Sequence, residues 1–291
     1  MLKPEVESLV PGQTFDRRSF VKTAIGSAFA AAALPVTAQA IKTDFEGLTA
    51  GEVTIPSGDF KMPIYRAMPQ GKRDLPVVLV ISEIFGVHEY IADTCRRFAK
   101  QGYLAIAPEL FARQGDPTSF GTIQELQREI IAKTPDNEVL GDLDAAVAWA
   151  GANGGNLGKV GITGFCWGGR VVWLYAAHSR QLKAGVAWYG RLNGDTTPLQ
   201  PRHPIDLAAQ LKAPVLGLYG GKDTGIPLEA VDRMKAALAA ANNPGAKASK
   251  FIVYPESGHA FHADYRPSYR EADAKDGWEK CLAWFKEHGV A

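Results

Sequence analysis

The amino-acid sequence predicts a single α/β domain in which a mostly parallel sheet carries helices on both faces. Apolar segments of strand length alternate along the chain with segments of helical periodicity, and repeated β-then-α order is typical of this architecture. One segment, Pro76–Ser82, is almost continuously apolar, as expected for a strand buried on both faces. Residues 41–291 contain no repeat, low-complexity tract or linker, so we expect one domain.

The pattern of apolar residues places the individual elements. Gly51–Ile55 and Lys61–Met68 are predicted to form a leading hairpin of two strands. The other predicted strands are Pro76–Ser82, Tyr103–Ala107, Lys159–Thr163, Ala184–Tyr189, Pro214–Tyr219 and Lys250–Tyr254. Apolar residues three and four apart indicate helices at Glu89–Gln101, Ile123–Ala132, Asn137–Ala152, Trp167–His178, Leu228–Ala241 and Arg270–His288. The longest irregular stretch, residues 191–202, is predicted to border a pocket.

Composition excludes several classes of protein. The 291 residues are 46% hydrophobic and 22% charged, which is ordinary for a globular chain and unlike a disordered or fibrous one. A net charge of +1 argues against a nucleic-acid partner, which would require a basic surplus. The three cysteines cannot all pair, so a disulfide scaffold is excluded. Cys95 and Cys281 fall on apolar helix faces and are expected in the core.

The first 40 residues are predicted to be an export signal that is removed from the mature protein. Arginines 17 and 18 precede a small-residue apolar run over residues 23–36 and an Ala-x-Ala motif that ends at Ala40. The run is shorter than the roughly 20 residues of a membrane-spanning helix. The pattern resembles a twin-arginine signal, although an ordinary secretory signal or an amphipathic helix shares parts of it. We expect twin-arginine export, cleavage after about Ala40, and a periplasmic mature protein without a membrane anchor.

A Gly-x-Cys-x-Gly motif lies between a predicted strand and a predicted helix. Residues 164–168 read Gly-Phe-Cys-Trp-Gly and match the nucleophile elbow of α/β-hydrolases with cysteine in place of serine. Cys166 would then lie at a helix N-terminus, where the helix dipole favours a thiolate. The alternative is a structural glycine turn that holds an inert cysteine.

An acid and a base follow the nucleophile in the order that an α/β-hydrolase requires. Asp223 comes directly after the strand that ends at Tyr219, and His259 follows the strand that ends at Tyr254. The carboxyl ends of parallel strands are where such sheets place their sites, and the order nucleophile, acid, histidine is that of the α/β-hydrolase fold. The alternative for Asp223 is a turn or helix-capping residue.

The loop after the first central strand is predicted to complete the site. In this fold one oxyanion-hole N–H comes from that loop, here from Ile84, and the other from the residue after the nucleophile, Trp167. Glu83 is an acidic residue where the long apolar strand emerges, with a solvated loop carboxylate as the alternative. His259 and His262 are spaced like metal ligands, but the preceding glycine favours a loop, so we expect no metal.

Together these motifs resemble the dienelactone hydrolases, also called carboxymethylenebutenolidases, over roughly residues 50–288. The motifs are Glu-Ile-Phe-Gly-Val at 83–87, Pro-Glu-Leu-Phe-Ala-Arg at 108–113, Gly-Phe-Cys-Trp-Gly-Gly at 164–169, Gly-Lys-Asp at 221–223 and Gly-His-Ala-Phe at 258–261. The resemblance implies a cofactor-free hydrolase of α/β-hydrolase fold. It implies Cys166 as nucleophile, His259 as base and Asp223 as the group that orients the base. It also implies that Glu83 contacts the resting thiol and takes its proton when substrate binds.

Two departures from the family pattern concern substrate binding. The family has tyrosine where this chain has Phe111, and arginine where it has Ala263. Arg113 matches one of the two family arginines that bind a substrate carboxylate, and Arg266 is the candidate to replace the other. We expect Arg113, Phe85 and Phe111 to line the substrate site.

We therefore expect an enzyme that cleaves a small ester or lactone through an acyl-thioester on Cys166, with the oxyanion held by Ile84 and Trp167. Another acyl hydrolase, such as a thioesterase, would use the same residues. A non-catalytic periplasmic binding protein could use the same fold as a pocket. We expect the mature protein to be a monomer.

Overall fold

A computed structural model describes residues 40–291. The first two strands are long and lie at one edge of the sheet. β1 (Leu48–Ser57) and β2 (Phe60–Pro69) pair antiparallel over their full length. The turn between them uses Gly58, whose φ of +60° favours a residue without a side chain. The predicted leading hairpin is confirmed, and it is longer at both ends than its apolar pattern indicated. Residues 1–39 of the predicted signal lie outside the described part of the chain.

The described residues form an eight-stranded sheet in the order β1-β2-β4-β3-β5-β6-β7-β8. The pairs from β4 through β8 are parallel, and β2 pairs antiparallel with both of its neighbours. The six later strands are β3 (Leu75–Ile81), β4 (Leu104–Pro108), β5 (Gly155–Phe165), β6 (Leu182–Trp188), β7 (Val215–Gly220) and β8 (Lys250–Tyr254).

Helices cover both faces of this sheet. They are α1 (Glu89–Lys100), α2 (Ile123–Glu129), α3 (Asp136–Ala152), α4 (Trp167–His178), α5 (Leu228–Ala240), α6 (Pro244–Ala248) and α7 (Glu271–Glu287). A side chain at Gly161 would meet Phe285 of α7. A side chain at Gly185, which is in register with Ile162, would meet Val172 of α4. Because successive strand residues point to opposite faces, α4 and α7 lie on opposite sides, and the predicted α/β fold is confirmed.

Strand β3 lies in the centre of the core. Its residues from Val77 to Ile81 are fully buried, as the continuous apolar run predicted. The region predicted as one helix at residues 123–132 is instead α2 followed by a short 3₁₀ turn, Ile131–Lys133. In the described part of the chain, none of the helices is long and apolar enough to cross a bilayer.

Candidate active site

Cys166 occupies a strained turn between β5 and α4. Its φ is +54°, in the left-handed region that non-glycine residues rarely adopt, and its N–H donates to the Trp188 carbonyl at 3.0 Å. A Cβ on Gly164 would lie 2.4 Å from the Gly168 oxygen, and a Cβ on Gly168 would lie 2.4 Å from the Ile81 oxygen. The two glycines therefore allow strand, turn and helix to approach closely enough to present the thiol at the end of the sheet.

His259 and Asp223 meet at the carboxyl ends of β8 and β7. The His259 Nδ1 lies 2.7 Å from the Asp223 Oδ2. The other carboxylate oxygen accepts from the backbone N–H groups of Gly225 at 2.9 Å and Ile226 at 3.1 Å. Both side chains are buried. The loop that contains Asp223 thus fixes the carboxylate, and the carboxylate fixes the histidine ring.

The imidazole of His259 lies between the Asp223 carboxylate and the Cys166 thiol. Burial, the largest influence, lowers its pKa, but the charges of Asp223 and Cys166 and the hydrogen bond to Asp223 outweigh burial and raise the pKa to about 10. Among the described residues, the buried His259 Nε2 has no hydrogen-bond partner. An imidazolium is therefore favoured wherever Cys166 carries the matching negative charge. This arrangement is what a thiolate nucleophile beside a histidine requires.

The three cysteines differ in accessibility. Cys95 and Cys281 are fully buried, whereas Cys166 retains 7% of its exposure. Burial raises the pKa of the thiols of Cys95 and Cys281, which makes them poor nucleophiles. The prediction that these two residues belong to the core is confirmed.

The loop after β3 is tied to the start of α4, which carries the candidate oxyanion hole. The Gly168 N–H donates to the Ser82 carbonyl at 3.1 Å, and Ser82 lies two residues before Ile84. Among the described residues, neither the Ile84 nor the Trp167 N–H donates a hydrogen bond outside a helix or strand. Backbone N–H groups beside a nucleophile are suited to hold a negatively charged oxygen.

Glu109, the residue directly after β4, binds the loop after β3 through a hydrogen bond. Its Oε2 accepts from the Val87 N–H at 2.8 Å. Gly86 has a φ of +74°, and a Cβ there would lie 2.8 Å from the Glu109 Oε1. Burial raises the pKa of Glu109 to about 7, against the lowering effect of its backbone donors. Glu109 therefore positions the loop that contains Ile84.

Glu83 is fully buried, so the alternative of a solvated carboxylate is wrong. Its Oε2 lies 3.1 Å from the His88 Nε2, and its Oε1 accepts from the Tyr265 hydroxyl at 3.3 Å. Burial raises its pKa, but the His88 hydrogen bond and the charges of His88 and Arg266 lower it further, so the pKa lies below its ordinary value. Among the described residues, the hydrogen bonds of Glu83 go to His88 and Tyr265, and none goes to Cys166.

Arg266 is the cation of this site. Its Nε donates to the Tyr265 hydroxyl at 3.0 Å, its guanidinium lies 5.0 Å from the centre of the Phe85 ring, and its charge interacts with Glu83 and Cys166. The side chain is buried, as is Ala263, which aligns with the family arginine. Phe85 therefore lies beside the Arg266 guanidinium.

Arg113 forms an ion pair with Asp142. Its two terminal nitrogens donate to the Asp142 carboxylate at 2.5 and 2.9 Å, one also donates to the Ser57 carbonyl, and the guanidinium covers the Phe60 ring. The expected role in binding a substrate carboxylate does not agree with this bidentate ion pair, which already satisfies its charge. Phe111, in the same segment, lies 4.6 Å from the Trp167 ring, centre to centre, at the edge of the candidate oxyanion hole.

Sequence reasoning did not single out three residues that surround the site. Glu109 follows the apolar strand β4 as Glu83 follows β3, and this shared position was the available signal. Tyr189 comes directly after β6 with a φ of +39°, and its ring lies 5.1 Å from His259. Tyr265 is six residues beyond His259, and nothing in its neighbours indicates that it contacts Glu83.

His262, the second histidine of the His-x-x-His spacing, contacts a tyrosine and a tryptophan. Its Nδ1 lies 2.6 Å from the Tyr90 hydroxyl, and its ring lies 4.4 Å from the Trp188 ring. Within residues 40–291, no three His, Cys, Asp or Glu side chains are grouped as ligands of a metal ion.

Comparisons with known proteins identify the family of the chain. The model of the dienelactone hydrolase family matches residues 62–289. A provisionally named carboxymethylenebutenolidase of Methylorubrum extorquens is 55% identical over 289 residues, 99% of this chain and 98% of that protein. One of the same provisional name from Escherichia coli is 55% identical over 264 residues, 90% of this chain and 96% of that protein. A crystal structure from Klebsiella pneumoniae, provisionally named a dienelactone hydrolase, has 54% identity and a TM-score of 0.80, and covers 82% of this chain and 99% of its own. The chain is therefore a hydrolase that belongs to the dienelactone hydrolase family.

Proposed function

We propose that the protein hydrolyses a small ester or lactone through a Cys166-His259-Asp223 triad and an acyl-thioester intermediate. The observation that carries the proposal is the position of His259 between the Asp223 carboxylate and the Cys166 thiol, with its pKa raised by both. A buried imidazolium next to a cysteine at a helix N-terminus stabilises a thiolate. The strained turn of Cys166 directs that thiolate into the site.

The reaction proceeds in two acyl-transfer steps. The Cys166 sulfur attacks the carbonyl carbon. The carbonyl oxygen becomes negative and accepts hydrogen bonds from the N–H groups of Ile84 and Trp167. His259 donates a proton to the leaving alkoxide as the C–O bond breaks. The neutral imidazole then takes a proton from water, whose oxygen attacks the thioester. Asp223 keeps the ring oriented through both steps, and no cofactor takes part.

Glu83 receives the thiol proton when substrate enters. The carboxylate is held by His88 and Tyr265, so activation requires the carboxylate to leave these partners and approach Cys166. The low pKa of Glu83 keeps it ionised and able to accept. Proton transfer to Glu83 then leaves a thiolate on Cys166 beside the imidazolium of His259.

The substrate carries its own negative charge, which Arg266 binds. Arg266 and Cys166 are close enough for their charges to interact, whereas the described contacts of Arg113 lie with Asp142, Glu138 and Ser57. The carboxylate of an anionic lactone would therefore meet Arg266 while its carbonyl meets Cys166. Phe85 and Phe111 supply the apolar walls.

A thioester trap tests the proposed mechanism. The protein is mixed with an excess of an activated aryl ester, and the phenol released in the first turnover is measured together with the mass of the intact protein. A burst of about one equivalent, with the acyl group on the peptide that contains Cys166, is expected. Absence of the burst together with absence of turnover over a panel of esters, lactones and thioesters would instead favour a non-catalytic binding protein. Turnover of thioesters alone would identify the protein as a thioesterase.

Export and assembly are proposed from the sequence. The twin-arginine pattern supports delivery of a folded enzyme to the periplasm, and we expect it to act there as a monomer. Replacing Arg17 and Arg18 by lysines should leave the full-length precursor in the cytoplasm, because the export receptor reads the arginine pair. Periplasmic protein of mature mass from that variant would contradict the twin-arginine route.

A further inference from the structure

The segment that follows the Ala-x-Ala motif is hydrogen-bonded to helix α1. The Thr43 N–H donates to the Asp93 Oδ1 at 2.6 Å, and the Thr43 carbonyl accepts from the Arg96 Nε at 3.0 Å. Two residues further on, the Arg96 guanidinium covers the Phe45 ring at 4.8 Å. The first described residues therefore have a fixed place on the fold, although Ile41 itself is 43% exposed.

The Ile41 backbone N–H donates to the carboxylate of Asp264. Asp264 is only 2% exposed and lies five residues after His259, in the loop that also contains Arg266. The first residue after the expected cleavage point is thus hydrogen-bonded through its own nitrogen to a buried carboxylate of the catalytic loop.

The charges around this contact are not balanced. Arg97 pairs with Asp264 at 2.5 Å and with Asp93 at 2.6 Å. Arg96 pairs with Asp93 at 2.9 Å and also with Glu89. Among the described residues, these four ion pairs join three carboxylates to two guanidinium groups, an excess of one negative charge within the named set. Burial, the largest influence, raises the pKa of Asp264 in spite of Arg97, which indicates that the cations present only partly compensate its charge.

We propose that cleavage of the Ala40–Ile41 peptide bond turns the Ile41 nitrogen into an α-ammonium group that forms a buried ion pair with Asp264. A signal peptidase that recognises Ala-x-Ala adds water across the bond, which leaves a carboxylate on Ala40 and an amine on Ile41 that takes up a proton. The same nitrogen that donated one neutral hydrogen bond then carries a full positive charge and three donors. Charge-assisted hydrogen bonds are roughly twice as strong as neutral ones, and the new charge neutralises the group.

The ion pair fastens the loop that presents His259. The Ala263 N–H donates to the Ala260 carbonyl at 3.0 Å, and the Arg266 N–H donates to the Ala263 carbonyl at 2.9 Å, so Asp264 sits within consecutive tight turns. An anchor on Asp264 therefore stabilises the short segment that holds His259 on one side and Arg266 on the other. Processing then contributes stability to the mature enzyme in addition to releasing it from its signal.

The test compares proteins recovered from the periplasm after natural processing of the full precursor. One precursor has the native sequence, and the other has Gly-Ser inserted between Ala40 and Ile41, which moves the new ammonium up to about 7 Å along the chain. Sequencing should give Ile41 as the first residue of the native protein. The insertion should lower the Tm by about 2–4 °C, the shift expected when one modest ion pair is lost from a chain of this size.

Two variants identify the partner of the ammonium. In Asp264→Asn the insertion should change the Tm by less than about 1 °C, because the carboxylate that the ammonium pairs with is gone. In Asp44→Asn, which removes an exposed carboxylate of the same segment paired with Lys100, the insertion should still lower the Tm fully. An equal effect of the insertion with and without Asp264, or a mature protein that begins at another residue, would overturn the proposal.

Amine labelling gives a reading that does not depend on stability differences. A free α-amine has a pKa near 8, and a buried carboxylate partner raises it, so less of the reactive free amine is present at pH 7. An N-hydroxysuccinimide ester should label the α-amine of Ile41 in the native protein about tenfold more slowly than the α-amine of the inserted glycine in the other protein. Equal labelling rates would contradict the ion pair. None of these measurements uses enzymatic activity, so they succeed or fail independently of the proposed triad.

Discussion

The Glu83 Oε2 lies 3.1 Å from the His88 Nε2, so a histidine holds the carboxylate that is expected to activate the nucleophile. His88 is itself buried and packs against Tyr265, with ring centres 5.1 Å apart. The contact with His88 therefore favours the ionised form of Glu83, and the pKa of Glu83 depends on His88.

His88→Asn should shift the pH dependence of the reaction. Without the His88 contact, burial dominates the pKa of Glu83 and raises it, so more of the carboxylate is protonated at pH 7. The acid limb of the kcat/KM profile should move to higher pH, and kcat/KM at pH 7 should fall by about tenfold, the lower end of the effect of a hydrogen bond to a charged group. Measured pH–rate profiles from pH 5 to 9 provide the check. His178→Asn, which alters an exposed histidine paired with Asp144, is the matched control, and an unshifted His88→Asn profile would show that Glu83 does not set the acid limb.

Cys166→Ala should abolish turnover while the protein remains folded. Loss of the nucleophile from a triad that acts as a unit costs on the order of a million-fold in kcat. Iodoacetamide should modify Cys166 first in the native protein, since Cys95 and Cys281 are fully buried. Peptide mapping after brief alkylation and a stopped assay of the variant test both statements. Activity within about tenfold of the wild type would place the nucleophile elsewhere.

The sequence predicted those parts of the molecule that depend on local pattern and chain order. The elbow at Cys166 and the positions of Asp223 and His259 after their strands follow from apolar runs and glycine spacing, and so do the strands themselves. The partners of long polar side chains did not follow, because they come from distant segments. Arg113 matched a family motif, yet it pairs with Asp142 of α3, a residue that no motif connects to it. Glu83 meets Tyr265 across 182 positions of the chain, and only the fold reveals that contact.

Glu109→Gln should remove a pH-dependent loss of stability. Folded protein keeps a proton on Glu109 up to about pH 7, whereas the unfolded chain releases it near pH 4.5. The folded state therefore binds more protons between these values, and its free energy of unfolding decreases as the pH rises through that window, by up to roughly 3 kcal/mol. Glutamine does not titrate, and its amide oxygen can still accept from Val87.

The difference in Tm between Glu109→Gln and wild type measures this effect. The Tm of the variant minus that of the wild type should increase as the pH rises from 4.5 to 7. Above pH 7 this difference should stay constant. Other titrating groups are common to both proteins and cancel in the difference. Parallel Tm curves over the whole range would mean that Glu109 is ionised in the folded protein well below pH 7.

Arg266→Met should change substrate preference, whereas Arg113→Met should change stability. If Arg266 binds the substrate carboxylate, its loss removes one or more charge-assisted hydrogen bonds of about 1.5–3 kcal/mol each, and kcat/KM for an anionic lactone should fall about 10–150-fold. Hydrolysis of the matching neutral ester should fall by a smaller factor, because Arg266 also lowers the pKa of Glu83 and this effect is common to both substrates. Arg113→Met should leave the ratio of the two substrates unchanged. It should instead lower the Tm, because it leaves the buried Asp142 carboxylate without its bidentate partner.

Arg266 is fully buried, so a second substitution separates substrate binding from folding. Arg266→Lys keeps the charge but not the bond from Nε to the Tyr265 hydroxyl, and it should retain part of the preference for the anionic lactone. Steady-state kinetics with the substrate pair, together with Tm values for all three variants, distinguish the cases. If Arg113→Met removes the preference and Arg266→Met does not, the carboxylate is bound by Arg113 as the family resemblance implies, and Arg113 must leave Asp142 when substrate binds.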